Sequence, residues 1–406
     1  MKKLVRVPQA EPESDGRPAV RGKPGLAALP PLSVYVHVPW CVHKCPYCDF
    51  NSHERSGEVP EQAYLQALQA DLEQALPDVW GRPVSTVFFG GGTPSLLSAD
   101  AIDQIISLLR ATLSLAPDAE ITLEANPGTA EAARFQGYAQ AGVNRISLGI
   151  QSFDDDKLKR LGRIHDAAQA RAAIGMAQRA VDHVNLDLMF ALPQQTLAQC
   201  EQDVREALAF QTGHLSLYHL TLEPNTVFAK YPPRLPDDEQ SAVMQDRVAE
   251  LAQSAGFERY EVSAYARPGQ ACLHNLNYWQ FGDYLGIGPG AHSKISFQNR
   301  IIRQARAKMP DAWMRLAQER AGKHVVEERE LSHADLGFEF MLNALRLRQG
   351  VEGGLFIERT GLSLMSILPA MRRAVDRGLL MPGLERVQAT PQGWRFLNDL
   401  QMEFLP

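Results

Sequence analysis

The sequence predicts an α/β fold: a parallel sheet flanked by helices, followed by a smaller, mainly helical C-terminal unit. Two observations carry this expectation. Short β-rich runs alternate six times with stretches of helical spacing, and those runs are nearly all apolar, as in strands covered on both faces. A third observation places the chemistry: polar residues gather at the C-terminal ends of the strands, the end where β/α folds build ligand sites.

The strands are expected at Ser33–Val38, Val84–Phe89, Ile121–Ala125, Arg145–Ile150, Val184–Met189 and Leu215–Leu220. After the first, Tyr64, Leu65, Leu68, Leu72 and Leu76 recur at helical intervals and form one apolar stripe. Further helices are expected over about 99–112, 130–141, 166–180, 198–210 and 238–255. Six such units fit either an open doubly wound sheet or a barrel. Gly90–Thr93, Glu124, Gln151 and Asp187 stand at or just past strand ends.

Four segments follow. Residues 1–32, rich in Pro, Gly, Arg and Glu, read as a flexible arm. Residues 33–270 hold the strand–helix units. Residues 271–329 are an aromatic and Gly-rich closing and linker segment, read as loops and short strands over a site. Residues 330–406 combine helices with a short hairpin near Leu384–Ala389, a winged-helix-like pattern. Its acidic residues Glu352, Glu358, Asp376 and Glu385 favour a lid or docking module over a DNA reader.

Composition excludes several classes. With 406 residues, 45% hydrophobic and 22% charged, the chain is globular in type. Its 41 basic against 47 acidic residues give a net charge of −6, which argues against nucleic acid as a partner. No apolar run reaches the ~18 residues of a membrane span, which leaves only peripheral association with a membrane. The opening MKKLVRVPQAEPESDG has no apolar core of a secretory signal, so the cytoplasm is the expected compartment.

Five cysteines in such a chain are not a disulfide framework. Three stand close together in Tyr35-Val-His-Val-Pro-Trp-Cys41-Val-His-Lys-Cys45-Pro-Tyr-Cys48, directly after the first strand. This C-x3-C-x2-C loop offers three soft ligands, suited to an iron–sulfur cluster, zinc or copper(I). A closed zinc site needs a fourth ligand, for which His37, His43 and His53 are at hand. A four-iron cluster on three cysteines leaves one iron open, and that reading also accounts for the polar strand ends. Cys200 reads as a small, partly buried helix residue.

These residues resemble a known family, the radical S-adenosylmethionine superfamily, and within it the oxygen-independent coproporphyrinogen III oxidase group in its heme-chaperone branch. The matching stretches include Phe89-Gly-Gly-Gly-Thr-Pro94, Leu123-Glu-Ala-Asn-Pro127, Leu148-Gly-Ile-Gln-Ser152, Leu161-Gly-Arg163, Asn185-Leu-Asp187, His274-Asn-x-x-Tyr-Trp279 and Gly286-Ile-Gly-Pro-Gly-Ala-His292. The resemblance implies a partial (β/α)6 TIM-type barrel with a C-terminal winged-helix-like domain. It implies a [4Fe–4S] cluster on Cys41, Cys45 and Cys48, with S-adenosylmethionine chelating the open iron. One-electron reduction from a donor such as flavodoxin or ferredoxin would then yield methionine and an adenosyl radical.

By the same resemblance, Tyr35, Tyr47, Gly91, Gly92, Thr93, Glu124, Gln151, Arg163, Asp187, Thr221 and His292 would contact S-adenosylmethionine. On residue chemistry alone, the Gly run is a turn or a close approach to a ligand, and the two carboxylates are cofactor ligands or helix caps. The oxidase branch carries a fourth cysteine two residues past the third; here that position is Phe50, so oxidase activity is not expected. The resemblance instead implies a chaperone that binds heme and passes it to an acceptor protein, such as a respiratory enzyme. His274, in its Tyr/Trp-rich setting, is the candidate heme ligand, with Cys272 as the second candidate and a hydrogen-bonded structural histidine as the alternative. The basic run Arg300, Arg303, Arg306, Lys308 reads as a solvated helix face that could instead meet heme propionates.

Overall fold

The computed structural model describes residues 25–55, 57–128 and 132–406; most of the expected arm and the start of the helix expected at 130–141 lie outside these. Six parallel strands run in chain order: β1 (Leu32–Val38), β2 (Pro83–Gly91), β3 (Ser114–Ala125), β4 (Arg145–Gln151), β5 (His183–Phe190) and β6 (His214–His219). The main helices between them are α1 (Glu61–Val79), α2 (Ala99–Thr112), α3 (Phe135–Ala141), α4 (Ala167–Ala180) and α5 (Leu197–Ala209), with α6 (Asp238–Ser254) after β6. Capping boxes on Asp166, Thr196 and Asp237 fix the starts of α4, α5 and α6.

The aromatic, Gly-rich stretch, expected as loops and short strands, holds strands and also a helix. It forms α7 (Leu273–Trp279) and then strands that enlarge the sheet on its β1 edge. β9 (Asp283–Ile287) pairs parallel with β1, and β10 (His292–Phe297), β11 (Arg300–Arg306) and β12 (Val325–Glu330) continue antiparallel. At the other edge the short β7 (Glu258–Arg259) and β8 (Ala264–Ala266) complete a twelve-stranded sheet in the order 12-11-10-9-1-2-3-4-5-6-8-7. The linear order, with no bond from one edge to the other, makes an open partial barrel.

The strands are not covered by aliphatic side chains on both faces. Val34, Val36, Val87, Leu123, Leu148, Leu186 and Leu215 belong to a core shared with Leu68 and Leu72 of α1, Ile105 of α2, Ile174 of α4 and Val204 of α5. The alternate residues of the same strands, Ser33, Thr86, Glu120, Arg145, Ser147, Asn185, His214 and Ser216, are buried too, but hydrogen-bond to one another or to α7. The period of two separates an oily outer face from a polar inner one.

The basic run is strand, not helix. Arg303 donates to Glu339 and the Tyr284 hydroxyl, and Arg306, 1% exposed, pairs with Asp71. Their burial follows from carboxylates waiting on α1 and on the C-terminal unit. After α8 (Pro310–Gln318), which lies between β11 and β12, that unit contains α9 (His333–Ala344), α10 (Gly353–Thr360) and α11 (Leu368–Asp376), and Val351–Glu352 pairs antiparallel with Arg386–Val387. Its own core, around Phe340, Phe356 and Met371, takes in Ile301 of the main sheet and Phe281 from the turn before β9.

Candidate functional site

The site begins where β1 ends. Trp40 and Cys41 pair with His53 and Glu54, closing the cysteine loop on itself. The Gly run holds this loop from the neighbouring strand. Gly92 N–H donates to Val38 O and Thr93 N–H to Trp40 O, at 2.6 and 2.7 Å. A Cβ on Gly91, whose φ is +112°, would fall 2.5 Å from the His37 ring, and one on Gly92 would fall 2.6 Å from Trp40 O. The close approach that these glycines permit is therefore to the cysteine loop as well as to a ligand.

All three thiols are free and line one cavity of about 470 Å³. Thr93 Oγ1 lies 3.4 Å from Cys41 Sγ and Arg163 Nη1 3.5 Å from Cys45 Sγ, donors that favour thiolate over thiol. Burial pushes the Cys41 thiol up, with the Thr93 contact opposing it. The histidines that could close a zinc site are occupied. His37 Nε2 donates to Asn51 O at 2.9 Å, so Nδ1 accepts from the Tyr35 hydroxyl. His43 faces Glu54 and His53 faces Asn51 Oδ1. Among the described residues no three His, Cys, Asp or Glu side chains converge on one ion. Three open thiols around a cavity are a donor set that fits an iron–sulfur cluster with an exposed corner.

Opposite the thiols stand two partly buried carboxylates. Glu124 accepts only from Gly91 N–H, at 3.3 Å; burial and the charge of Asp187 push its carboxyl up to about 8. Asp187, raised by burial, accepts from Ser147 Oγ and Asn185 Nδ2 at 3.0 and 2.8 Å. The donor on Asn185 is fixed in turn, because its Oδ1 takes the Nδ1–H of His214, whose Nε2 accepts from the Tyr260 hydroxyl. Among the described residues neither carboxylate forms a salt bridge, and neither caps a helix. Glu124 has no cation beside it and Asp187 feels only the charge of Arg163, so the cavity suits a cationic or hydroxyl-rich ligand. Arg163 Nη2 is held by Asn126 Oδ1 and Gly149 O, and its Nε is buried without an acceptor. Gln151 sits beside it at φ +68°, a left-handed backbone that a non-glycine side chain rarely adopts and that turns the end of β4 into the cavity.

The structure thus brings Cys41, Cys45, Tyr47, Cys48, Gly91, Gly92, Thr93, Glu124, Gln151, Arg163, Asp187 and Thr221 to one cavity. It separates Tyr35 and His292 from them: both line a second, larger cavity of about 920 Å³ between the inner sheet face and the C-terminal unit. Asp49, Phe50, Gly91 and Glu124 line both cavities and form their common wall. Asn126, Ser147, Gly149 and Tyr218, none of them expected as cofactor contacts, also line the smaller one. Their signal was available in the inward period-two positions of β3 to β6.

His274 lies on α7 inside the larger cavity, with Tyr278, Tyr284, Arg303, Phe338 and Leu342 around it. Its ring packs on Phe88, centroids 5.0 Å apart, and burial holds its pKa down at about 4, so it is neutral. Nδ1 is 2.9 Å from Thr86 Oγ1, and that hydroxyl donates to Ser33 Oγ. Nδ1 therefore carries the proton, and Nε2 keeps a free lone pair. Cys272 is elsewhere. It is buried against Glu120 Oε1 at 3.3 Å, pushed up to about 12 by burial, and lines neither cavity.

Comparison with known proteins matches this geometry. Residues 35–207 match the Radical SAM superfamily, and residues 331–396 match the HemN C-terminal domain. The heme chaperone HemW of Escherichia coli K12 is 47% identical over 382 residues, covering 94% of this chain and 100% of the relative. The HemW of Haemophilus influenzae is 46% identical over 94% and 99%, and that of Bacillus subtilis 33% identical over 92% and 99%. Coproporphyrinogen III oxidase from Escherichia coli, a radical SAM enzyme, superposes with a TM-score of 0.79 at 22% identity, over 93% of this chain and 90% of that one, a likeness of fold. With its cysteine loop, partial barrel and C-terminal unit, the chain belongs to the heme chaperone HemW family of the radical SAM superfamily.

Proposed function

We propose that this protein is a heme chaperone that holds a [4Fe–4S] cluster on Cys41, Cys45 and Cys48, takes S-adenosylmethionine in the smaller cavity and carries heme in the larger one. The observation that carries the reading is the shared wall: Glu124, Gly91, Asp49 and Phe50 face both chambers, so the occupant of one shapes the other. When bound, the cluster and its cosubstrate supply one-electron chemistry. The chain's own residues bind and orient. Glu124 and Asp187 offer anionic partners for the ammonium and ribose hydroxyls, Tyr47 and Met189 offer apolar walls, and Arg163 braces the loop beside Cys45.

His274, neutral and with Nε2 open, has the form in which imidazole ligates iron. Tyr278, Tyr284 and Phe338 supply flat walls for a macrocycle, and Arg303, Lys308 and Arg329 supply positive charge for its carboxylates. Tyr35 and His292 belong to this chamber in our reading, and Cys272 has no role in it. Among the described residues no helix is long and apolar enough to cross a membrane. We place the protein in the cytoplasm, where free thiols persist, with a heme-acceptor protein and a flavodoxin- or ferredoxin-type donor as partners.

Anaerobic reconstitution tests this reading. The wild type should bind about four iron and four sulfide per chain, take up heme, and hand it to an apo-acceptor; the Cys41→Ala variant should lose the iron–sulfur absorption. Conversion of coproporphyrinogen III to protoporphyrinogen by the reconstituted protein would replace the chaperone reading with the enzymatic one.

A further inference from the structure

A third cavity, of about 630 Å³, opens at the other end of the barrel, among the N-terminal ends of the strands. Neither the cluster nor the heme reading uses it. Its wall contains Trp80, Arg82, Pro83, Leu29 and Pro31, with Arg359 reaching in from α10 of the C-terminal unit. Trp80 is 76% exposed, a large aromatic surface left in water at the turn between α1 and β2.

The charge balance here is uneven. Arg82 is 8% exposed; its Nη2 donates to Pro30 O and Asp283 at 2.7 and 2.8 Å, yet its Nη1 is buried without an acceptor. Arg359 Nε is also buried without one. Asp283 is already shared with Lys294 Nζ at 2.7 Å and with two groups of Ser296. Asp283 thus serves Arg82, Lys294 and Arg359 together, with Glu339 near Lys294 and Glu358 beside Arg359, and the two guanidinium N–H groups stay unpartnered among the described residues. Glu358, the acidic neighbour of Arg359, is exposed. Buried donors and buried charge are normally paired, and here the missing partner is an anion with two acceptor oxygens.

We propose that this cavity is a second ligand site, which takes a small organic carboxylate with a flat apolar body. The carboxylate would receive the free guanidinium N–H groups of Arg82 and Arg359, as planar forks bind carboxylate oxygens. The body would lie on Trp80 and the prolines. The site is at the opposite end of the sheet from the thiol loop, so its ligand would reach the C-terminal unit through Arg359 without touching the cluster.

Benzoate is a suitable probe for the full-length protein, followed by tryptophan fluorescence and by calorimetry. The expected result is saturable binding at least tenfold tighter than that of the uncharged isostere benzamide. Arg359→Gln should weaken benzoate at least tenfold while the thermal midpoint stays unchanged, and Trp80→Phe should remove most of the fluorescence response while calorimetric binding persists in weakened form. Arg359 serves as the main variant because replacing Arg82 would strand Asp283. Equal response to benzoate and benzamide, unchanged affinity in Arg359→Gln, or binding of inorganic phosphate in preference to benzoate would overturn the assignment.

Discussion

Two buried regions of this molecule treat carboxylates in opposite ways. At the seam between α1 and β11, Asp71 is fully buried and receives Arg306 Nε, His324 Nε2, the Trp313 indole N–H and Gly288 N–H, at 3.0 to 3.4 Å. The Arg306 charge and the His324 hydrogen bond outweigh burial and hold its carboxyl below the usual range. In the smaller cavity, Glu124 is partly buried and has one backbone donor, and desolvation drives its pKa up instead. The first carboxylate is part of the fold's own bonding. The second is kept under-satisfied, which costs stability and leaves a place for a ligand.

The comparison breaks most severely at Asp71. The Asp71→Ala variant strands Arg306 and His324 in the interior and should lose about 3–5 kcal/mol of unfolding free energy; urea denaturation monitored by circular dichroism measures it. Glu124→Gln should move the other way. With a carboxyl near 8 against an ordinary value of 4.5, the folded ligand-free state must hold at pH 7 a proton that the unfolded chain releases. Removing the carboxyl should therefore stabilise the ligand-free protein by up to about 3 kcal/mol. In the same variant, S-adenosylmethionine binding to the reconstituted protein should weaken about 10- to 100-fold, since a charge-assisted bond is lost.

The pH dependence sharpens the contrast. Below about 8, Glu124 holds a proton in the ligand-free state and must release it to face an ammonium group. Affinity for S-adenosylmethionine should then rise by up to about tenfold per pH unit from pH 6 to 8 and level off above. Calorimetry in buffers of different ionisation enthalpy would show the released proton. Asp71 predicts the reverse sense for stability at low pH. Its depressed pKa contributes stability that is present above the ordinary carboxylate value and is lost as pH falls through the lower folded value.

Much of this was legible in the sequence. All six parallel strands fall within one or two residues of their expected bounds at most ends, because long apolar runs separated by helical spacing admit few other folds. Twelve of the fourteen residues expected at the cluster and its cosubstrate share one cavity. What was not legible depends on long-range pairing. Tyr35 and His292 lie beside the smaller cavity's residues in sequence pattern but face the other chamber. The run from Arg300 to Arg306 has basic residues three apart, as a helix face would, yet becomes a strand because β10 and β12 flank it and Glu339 and Asp71 receive its arginines. Cys272, two residues from His274, is turned to Glu120 by the start of α7, something spacing alone does not reveal.

The proposed heme role rests on His274, whose open Nε2 faces a chamber that shares only one wall with the smaller cavity. Heme titration of the anaerobically reconstituted protein, followed in the Soret band with and without S-adenosylmethionine, tests it most directly. The account predicts a stoichiometric, shifted Soret band that His274→Ala abolishes or displaces while the iron–sulfur absorption is retained, and a heme affinity altered by S-adenosylmethionine. An identical Soret band and affinity in His274→Ala, indifferent to S-adenosylmethionine, would contradict it.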